Sequence, residues 1–268
     1  MKKKTVALGL ALTLVASCGA LTACGNENEL IVTGSSSVSP LMEKLAEAYE
    51  KVSEVDVKVT TSDSGTGIKD AMEGRNDFGM SSRALKQTET GIEAKQIATD
   101  GVVMIVNPEV ELTNVTSEEV YGLYAEGVAI GAITGAISRE NGSGTRDAFD
   151  DLIKNAEGQK LKQLETFSAV VGTQTNTGAV KTQIASNNTV LGYISLGSLD
   201  GTVKALSFEG VEATVENIQA GEYGLSRPFL IVYPSEETLS ENAKAFLAFI
   251  MGEEGQAIVE EAGYVPVA

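Results

Sequence analysis

Histidine and tryptophan are absent from this chain of 268 residues, cysteine occurs twice and proline five times, and 20 basic residues stand against 37 acidic ones. Without histidine there is no imidazole to ligate a metal and no Ser–His or Cys–His nucleophile pair. A formal charge of −17 leaves too few cations to build the basic surface that a nucleic acid or an anionic membrane requires. Binding of an uncharged sugar, a peptide or a cation stays open, and so does hydrolysis carried by carboxylates. What the chain has in quantity is apolar residues (43%) and 28 glycines. That suffices for one large or two medium domains with many turns.

The first 23 residues read as an export signal. Lys2-Lys3-Lys4 makes its positive start, and residues 5–16 form an apolar run of secretory length, too short for a stable membrane span. Leu21-Thr22-Ala23-Cys24 resembles the bacterial lipoprotein signal box, which implies cleavage before Cys24 and a diacylglyceryl thioether on its sulfur. Residues 24–29 then form a polar tether. The other cysteine, Cys18, leaves with the signal, so the mature chain has no disulfide and is held by its core alone. Its 17 basic and 37 acidic residues give a formal −20. The expected location is extracytoplasmic, lipid-anchored to the cell membrane and touching it only through Cys24.

Within the mature chain one stretch stands out: Ser138-Arg139-Glu140-Asn141-Gly142-Ser143-Gly144-Thr145-Arg146-Asp147-Ala148-Phe149. Glycines alternating with hydroxyls at the start of a helix let successive N–H groups converge, beside the donors of Ser143 and Thr145. The positive end of the helix dipole faces the same spot. Arg139 can close it with a planar fork of donors, the geometry a tetrahedral oxyanion prefers. A surface turn with a helix cap is the plainer alternative, but two earlier segments share the build. Residues 30–33 make a β-run followed by Gly34-Ser35-Ser36-Ser37, and a helix starts near Ser39-Pro40, with a serine before the proline as its cap. Val55, Val57 and Val59 alternate as a strand, residues 60–67 form a second glycine-hydroxyl loop, and a helix follows. Residues 77–80 make a short strand ending in Ser81-Ser82-Arg83. This order places Ser36, Ser64 and Ser82 along one crest of a parallel sheet, where open α/β sheets take their ligands. Arg83 reads as a rim charge rather than a second ligand arginine.

Residues 101–106 form a continuous apolar strand and mark a first crossing between lobes. A helix follows with Ser117 as its cap. Residues 172–178 are another polar glycine-threonine loop before a helix, and residues 203–208 read as a strand. The strand of residues 229–233 is the second crossing, and residues 238–251 and 253–262 are amphipathic helices. The expected organisation is a first lobe of residues 30–106 and 229–268, discontinuous in sequence, around a second lobe of residues 107–228.

The chain resembles the phosphate-binding lipoproteins of bacterial ABC phosphate importers over nearly all its mature length. The matching pieces are residues 34–41, Ser64-Gly65-Thr66-Gly67-Ile68-Lys69, residues 77–83, Arg139 through Thr145, Leu225-Ser226-Arg227-Pro228 and Gly263-Tyr264-Val265-Pro266. The Arg-x-x-x-Ser-Gly-Thr element is the most specific. The resemblance implies an α/β, two-lobed periplasmic-binding-protein-like (type II) fold, each lobe a mixed or parallel sheet flanked by helices. It implies Ser36, Ser37, Ser64, Arg139, Ser143, Gly144 and Thr145 as ligand-binding residues, no catalytic residue, no metal and no cofactor. The implied partners are inorganic phosphate and the permease subunits of an ABC transporter, with the receptor a monomer. Two departures stand out. Ser82 occupies a position where well-known members carry an aspartate that accepts the phosphate proton, and the usual Asn-Trp element before the arginine strand is missing. With Ser82 at that position, Asp63 or a backbone carbonyl is the expected acceptor.

A receptor of charge −20 does not draw phosphate by its long-range field, and salt screens that repulsion beyond about 8 Å. Affinity must come from short, charge-assisted bonds in a dry cleft. Nothing in the three loops places a base beside a nucleophile, which speaks against a carboxylate hydrolase. The remaining alternatives are a receptor for another tetrahedral oxyanion, such as sulfate or molybdate, and a non-transport surface lipoprotein.

Overall fold

A computed structural model describes residues 28–267. The export signal, Cys24 and the tether up to residue 27 lie outside the described residues. The chain begins with strand and helix in alternation: β1 (Glu29–Ser35), α1 (Ser39–Glu50), β2 (Asp56–Ser62), α2 (Ser64–Met72) and β3 (Phe78–Ser81). The long β4 (Glu93–Val106) follows, then β5 (Asn114–Val115), α3 (Ser117–Glu126), β6 (Gly135–Arg139), α4 (Gly144–Leu152) and β7 (Val171–Gln174). After these come α5 (Thr177–Ala185), β8 (Val190–Ser195), β9 (Lys204–Ala205), β10 (Ser207–Phe208) and α6 (Val215–Gln219). The chain returns along β11 (Ser226–Tyr233) and ends in α7 (Glu241–Met251) and α8 (Glu253–Glu261).

The strands join in the order β2-β1-β3-β11-β4-β8-β6-β7, with β9 beside β4. β1 runs parallel to β2 and β3, and β6 runs parallel to β7 and β8. Each of these pairs is connected through a helix, as a parallel crossover requires. The linking strands β4 and β11 are antiparallel to each other and to their outer neighbours β8 and β3.

Apolar side chains gather into two large cores. One holds Leu30, Leu41, Phe78, Ala98, Phe229, Phe246 and Val259, and the other Val102, Tyr124, Phe149, Tyr193, Tyr223 and Leu225. They part on β4 between Ala98 and Val102 and again between Leu225 and Phe229. Two lobes result, joined by the β4–β11 pair. Val103 and Ile105 of β4 point into a further cluster with Val180, Ile184 and Ile194. With both faces covered, this part of β4 reads as an unbroken apolar run rather than an alternation. Each fully buried large side chain contributes about 1.5–3 kcal/mol, and no cysteine lies within residues 28–267 to add a disulfide.

Several local expectations need correction. The cap of α3 is Thr116, whose side chain and Glu119 form a reciprocal capping box, not Ser117. α1 has Val38 at its cap position and no side-chain cap bond; Ser39 instead donates to the Ser35 carbonyl at 3.1 Å. Pro40 in that first turn brings a fixed φ and has no N–H to satisfy. α2 starts at Ser64, so Gly65, Thr66 and Gly67 lie within its first turns and the second loop is shorter than its composition suggests. The strand expected over residues 203–208 is two two-residue pieces, β9 beside β4 and β10 beside β5.

Candidate functional site

Four helices, α1, α2, α4 and α5, begin where parallel strands end, at Ser35, Ser62, Arg139 and Gln174 respectively. Their N-terminal turns carry unpaired amides and the positive dipole ends, and short side chains let them approach one another. In the first lobe Ser35 Oγ donates to Ser82 Oγ at 3.0 Å, and the Ser82 N–H donates to Ser64 Oγ at 3.1 Å. Contacts to the second lobe cross the cleft: Ser37 Oγ lies 2.8 Å from Thr145 Oγ1, and Arg139 Nη2 donates to Ser36 Oγ at 3.1 Å. Gly144 packs so closely that a Cβ there would sit 2.3 Å from Ser64 Oγ. Ser36, Ser37, Ser64, Ser82, Arg139, Gly144 and Thr145 therefore converge.

Arg139 is 2% exposed and held from several sides. Its N–H donates to Tyr193 Oη at 3.3 Å, and its carbonyl accepts from Arg146 Nη1 at 3.2 Å. Tyr193 stacks on Phe149 with ring centroids 4.0 Å apart, and burial holds its phenol well above its ordinary value, so it stays neutral. Glu140 accepts from Arg139 Nε at 2.8 Å and Nη2 at 2.7 Å, fixing the plane of the fork. The opposite edge of the guanidinium meets Ser36 and, through Nη1 at 3.4 Å, Thr177.

The other named positions sit differently. Ser143 is buried, but its Oγ caps α4 by accepting from the Arg146 N–H at 3.3 Å. Asp63 caps α2: Oδ1 accepts from the Thr66 N–H at 2.9 Å and Oδ2 from the Thr66 hydroxyl at 2.6 Å. Gly142, at φ +93°, closes over Asp63 from the second lobe, where a Cβ would fall 2.4 Å from Oδ1. Arg83 is not a rim charge: it is 6% exposed and bonded to both carboxylate oxygens of Glu89, at 2.8 and 2.7 Å. Its Nε also lies 2.9 Å from Asp147 of the second lobe, which Lys86 approaches at 2.6 Å. Two carboxylates, one from each lobe, compensate the desolvation of Arg83.

Two elements of the site lack a role in the sequence-level picture. Thr177 joins the convergent hydroxyls from α5, although the polar loop before that helix has the same build as the other three. Asp100 and Arg227 form a buried ion pair on the linking strands, with Nε and Nη2 donating to Oδ2 at 3.0 and 2.9 Å. Asp100 Oδ1 accepts from the Ser195 hydroxyl and the Leu196 N–H, and Arg227 Nη1 reaches the Ser82 carbonyl at 3.4 Å. Burial pushes the Asp100 carboxyl up and the Arg227 guanidinium down, each partner opposing that shift. Beside the cluster lies a cavity of about 620 Å³ lined by Arg83, Lys86, Arg146, Asp147, Asp150 and Phe167 among others. Its lining includes none of the convergent hydroxyls.

Two lobes linked by two strands, meeting over buried hydroxyls, helix N-termini and one guanidinium, have the architecture of a solute receptor. A sequence model of the PBP superfamily domain matches residues 22–254, and the chain belongs to that family. It is 35% identical to a Clostridium perfringens protein solved with bound phosphate and described as a candidate substrate-binding protein of a phosphate ABC transporter. That match has a TM-score of 0.83 and covers 90% of this chain and 100% of the other. An ABC-type phosphate transport receptor from Vibrio cholerae is 31% identical, with a TM-score of 0.70, over 89% of this chain and 99% of its own. The phosphate-binding protein PstS 2 of Streptococcus agalactiae is 40% identical over 135 residues, but the match spans about half of either protein, 49% of this chain and 45% of the relative. PstS of Bacillus subtilis is 29% identical over 100% of this chain and 95% of its own length. These relatives are phosphate-binding and phosphate-transport proteins. Among the described residues no helix is long and apolar enough to cross a membrane.

Proposed function

We propose that this protein binds inorganic phosphate outside the cytoplasm and delivers it to the permease subunits of an ABC importer, without catalysis. The observation that carries this is Arg139: a guanidinium 2% exposed, fixed by Glu140 and turned toward hydroxyls from both lobes. A tetrahedral oxyanion is the ligand class that uses such a fork together with hydroxyls and helix N-termini. Phosphate is favoured among oxyanions because relatives of matching length are phosphate-binding proteins. The ligand set in this proposal is Ser36, Ser37, Ser64, Ser82, Arg139, Gly144 and Thr145, with Ser143 acting through the α4 amides it organises. The lobe crossings belong with it: the cores part between Ala98 and Val102 and between Leu225 and Phe229, so we place the first crossing before Val102 rather than at Val106. Anchoring through lipid on Cys24 and a monomeric state complete the proposal.

Sulfate or molybdate is the second candidate, because the side chain at the crest of β3 is the hydroxyl of Ser82 rather than a carboxylate. Calorimetric titration of the purified, ligand-stripped protein with phosphate, arsenate, sulfate and molybdate separates the two. Phosphate is expected to bind tightest, and Arg139→Ala to lose about 2–5 kcal/mol, the cost of truncating one partner of a buried charge pair. Tighter sulfate or molybdate binding, or no binding of any oxyanion, would overturn the assignment.

A further inference from the structure

We propose that Thr177 is a direct ligand of the anion, contributed by α5 as a further anchor of the second lobe; this rests on the oxyanion site proposed above. Thr177 is 6% exposed, and its hydroxyl sits among three polar groups without a short bond to any. Oγ1 lies 3.2 Å from Ser36 Oγ, 3.3 Å from Ser37 Oγ and 3.4 Å from Arg139 Nη1. These distances are at or beyond the outer edge of ordinary hydrogen bonds, whereas Ser37 and Thr145 meet at 2.8 Å. The helix does not need this hydroxyl, since α5 is capped by Asn176, whose Oδ1 accepts from the Ala179 N–H at 2.8 Å.

Donor and acceptor counting gives the direction. Ser36 Oγ accepts from Arg139 Nη2 at 3.1 Å and from the Thr177 N–H at 3.4 Å. With both lone pairs engaged, its own proton is left to donate. Arg139 Nη1 has only donors to offer, and its bond to Thr177 is the 3.4 Å contact. Buried groups with long bonds carry a desolvation cost that short ones would remove. A ligand oxygen beside Thr177 accepts from the threonine hydroxyl, the Ser36 hydroxyl and Nη1 at once, replacing loose contacts with charge-assisted ones. Because Thr177 belongs to the second lobe and Ser36 and Ser37 to the first, the same oxygen also ties α5 into lobe closure.

The test is phosphate titration of wild type, Thr177→Val, Thr177→Ser and Arg139→Ala, with the thermal midpoint of each ligand-free protein. Valine keeps the shape and removes the hydroxyl; serine keeps the hydroxyl. Thr177→Val is expected to bind phosphate about tenfold or more weakly, the size of one lost bond to an anion, while Thr177→Ser stays within about threefold and the ligand-free midpoints hold. A Thr177→Val affinity within about twofold of wild type would overturn this role and leave the phosphate assignment standing, provided Arg139→Ala still weakens binding strongly. Equal loss in the valine and serine variants, or loss that follows the midpoint, would mark a packing role and overturn it as well. If wild type binds no phosphate, the assignment itself falls and the role of Thr177 with it.

Discussion

Asp100 and Arg227 face each other in register on the two strands that join the lobes, and their side chains are 0% and 1% exposed. Two charges brought that deep cost several kcal/mol each to desolvate, and here the cost is offset by two bonds between them and two more to Ser195 and Leu196. Removing one partner strands the other. Asp100→Ala is expected to lower unfolding stability by about 3–5 kcal/mol, measured by urea denaturation. The paired replacement Asp100→Leu with Arg227→Met is expected to recover most of that loss. If the double variant is no more stable than the single one, the pair contributes more than mutual compensation.

A second ion cluster bridges the two lobes. Arg83 and Lys86 of the first lobe share Asp147 of the second, at a point away from the convergent hydroxyls. Breaking it leaves the ligand contacts in place and loosens the closed form, so Asp147→Asn is expected to speed phosphate release with little change in association rate. The loss should be about 1 kcal/mol or somewhat more, because Asp147 is only partly buried. Stopped-flow release of phosphate checks this, and an unchanged release rate would show that the cluster does not hold the lobes.

Asp150 supplies a pH dependence. It is 8% exposed, Oδ1 has no hydrogen-bond partner, and Arg146 Nε lies 3.3 Å from Oδ2. Burial pushes its carboxyl up to about 7, against the pull of Arg146 and with a further push from Asp147. The unfolded chain ionises this group near 3.8, so the folded state binds one more proton between the two values. Its contribution to stability is full below about pH 4 and is lost as pH rises toward 7. Relative to Asp150→Asn, wild type should therefore lose stability over that window by at most about 1.4 kcal/mol per pH unit. Denaturation curves of both proteins at pH 4, 5.5, 7 and 8 check it; a constant difference would mean Asp150 does not titrate there.

The three loops were legible in the sequence because glycine, serine and threonine before an apolar helical pattern have a local cause, the needs of a helix N-terminus. Arg139 stood out for the same reason, next to Ser143 and Thr145. What the sequence did not reveal depends on contacts distant in the chain. Arg83 looked like a rim charge because Glu89 and Asp147, which allow its burial, arrive from a following loop and from the other lobe. Asp100 meets Arg227 across 127 residues, and no periodicity signals such a pair. Thr177 carried the loop signal, but only the approach of the start of α5 to the loop before α1 and to the end of β6 shows its hydroxyl beside Ser36 and Arg139. Asp63 looked available as an acceptor, and nothing in the sequence weighs a cap against that use.

Near neutral pH phosphate carries a proton and sulfate does not. A site selective for phosphate offers that O–H an acceptor, and a carboxylate in this place also repels sulfate. Asp63 is the nearest carboxylate in the first-lobe loops by sequence, but both its oxygens are turned to Thr66. Asparagine is an equally good cap, so Asp63→Asn should keep α2 intact and change the ratio of phosphate to sulfate affinity by less than about threefold. The acceptor is then left to hydroxyls. Ser82 Oγ already accepts from Ser35 and lies 3.3 Å from Ser64 Oγ, and each of the two serines can rotate to accept or donate. Hydroxyls of this kind take the phosphate proton but reject sulfate only mildly, which predicts a preference for phosphate of about tenfold. Competitive titration of wild type and Asp63→Asn with both anions decides it. Lost phosphate affinity with gained sulfate affinity in the variant would return Asp63 to the acceptor role. A wild-type preference above about a thousandfold would require a carboxylate or carbonyl acceptor instead of the serines.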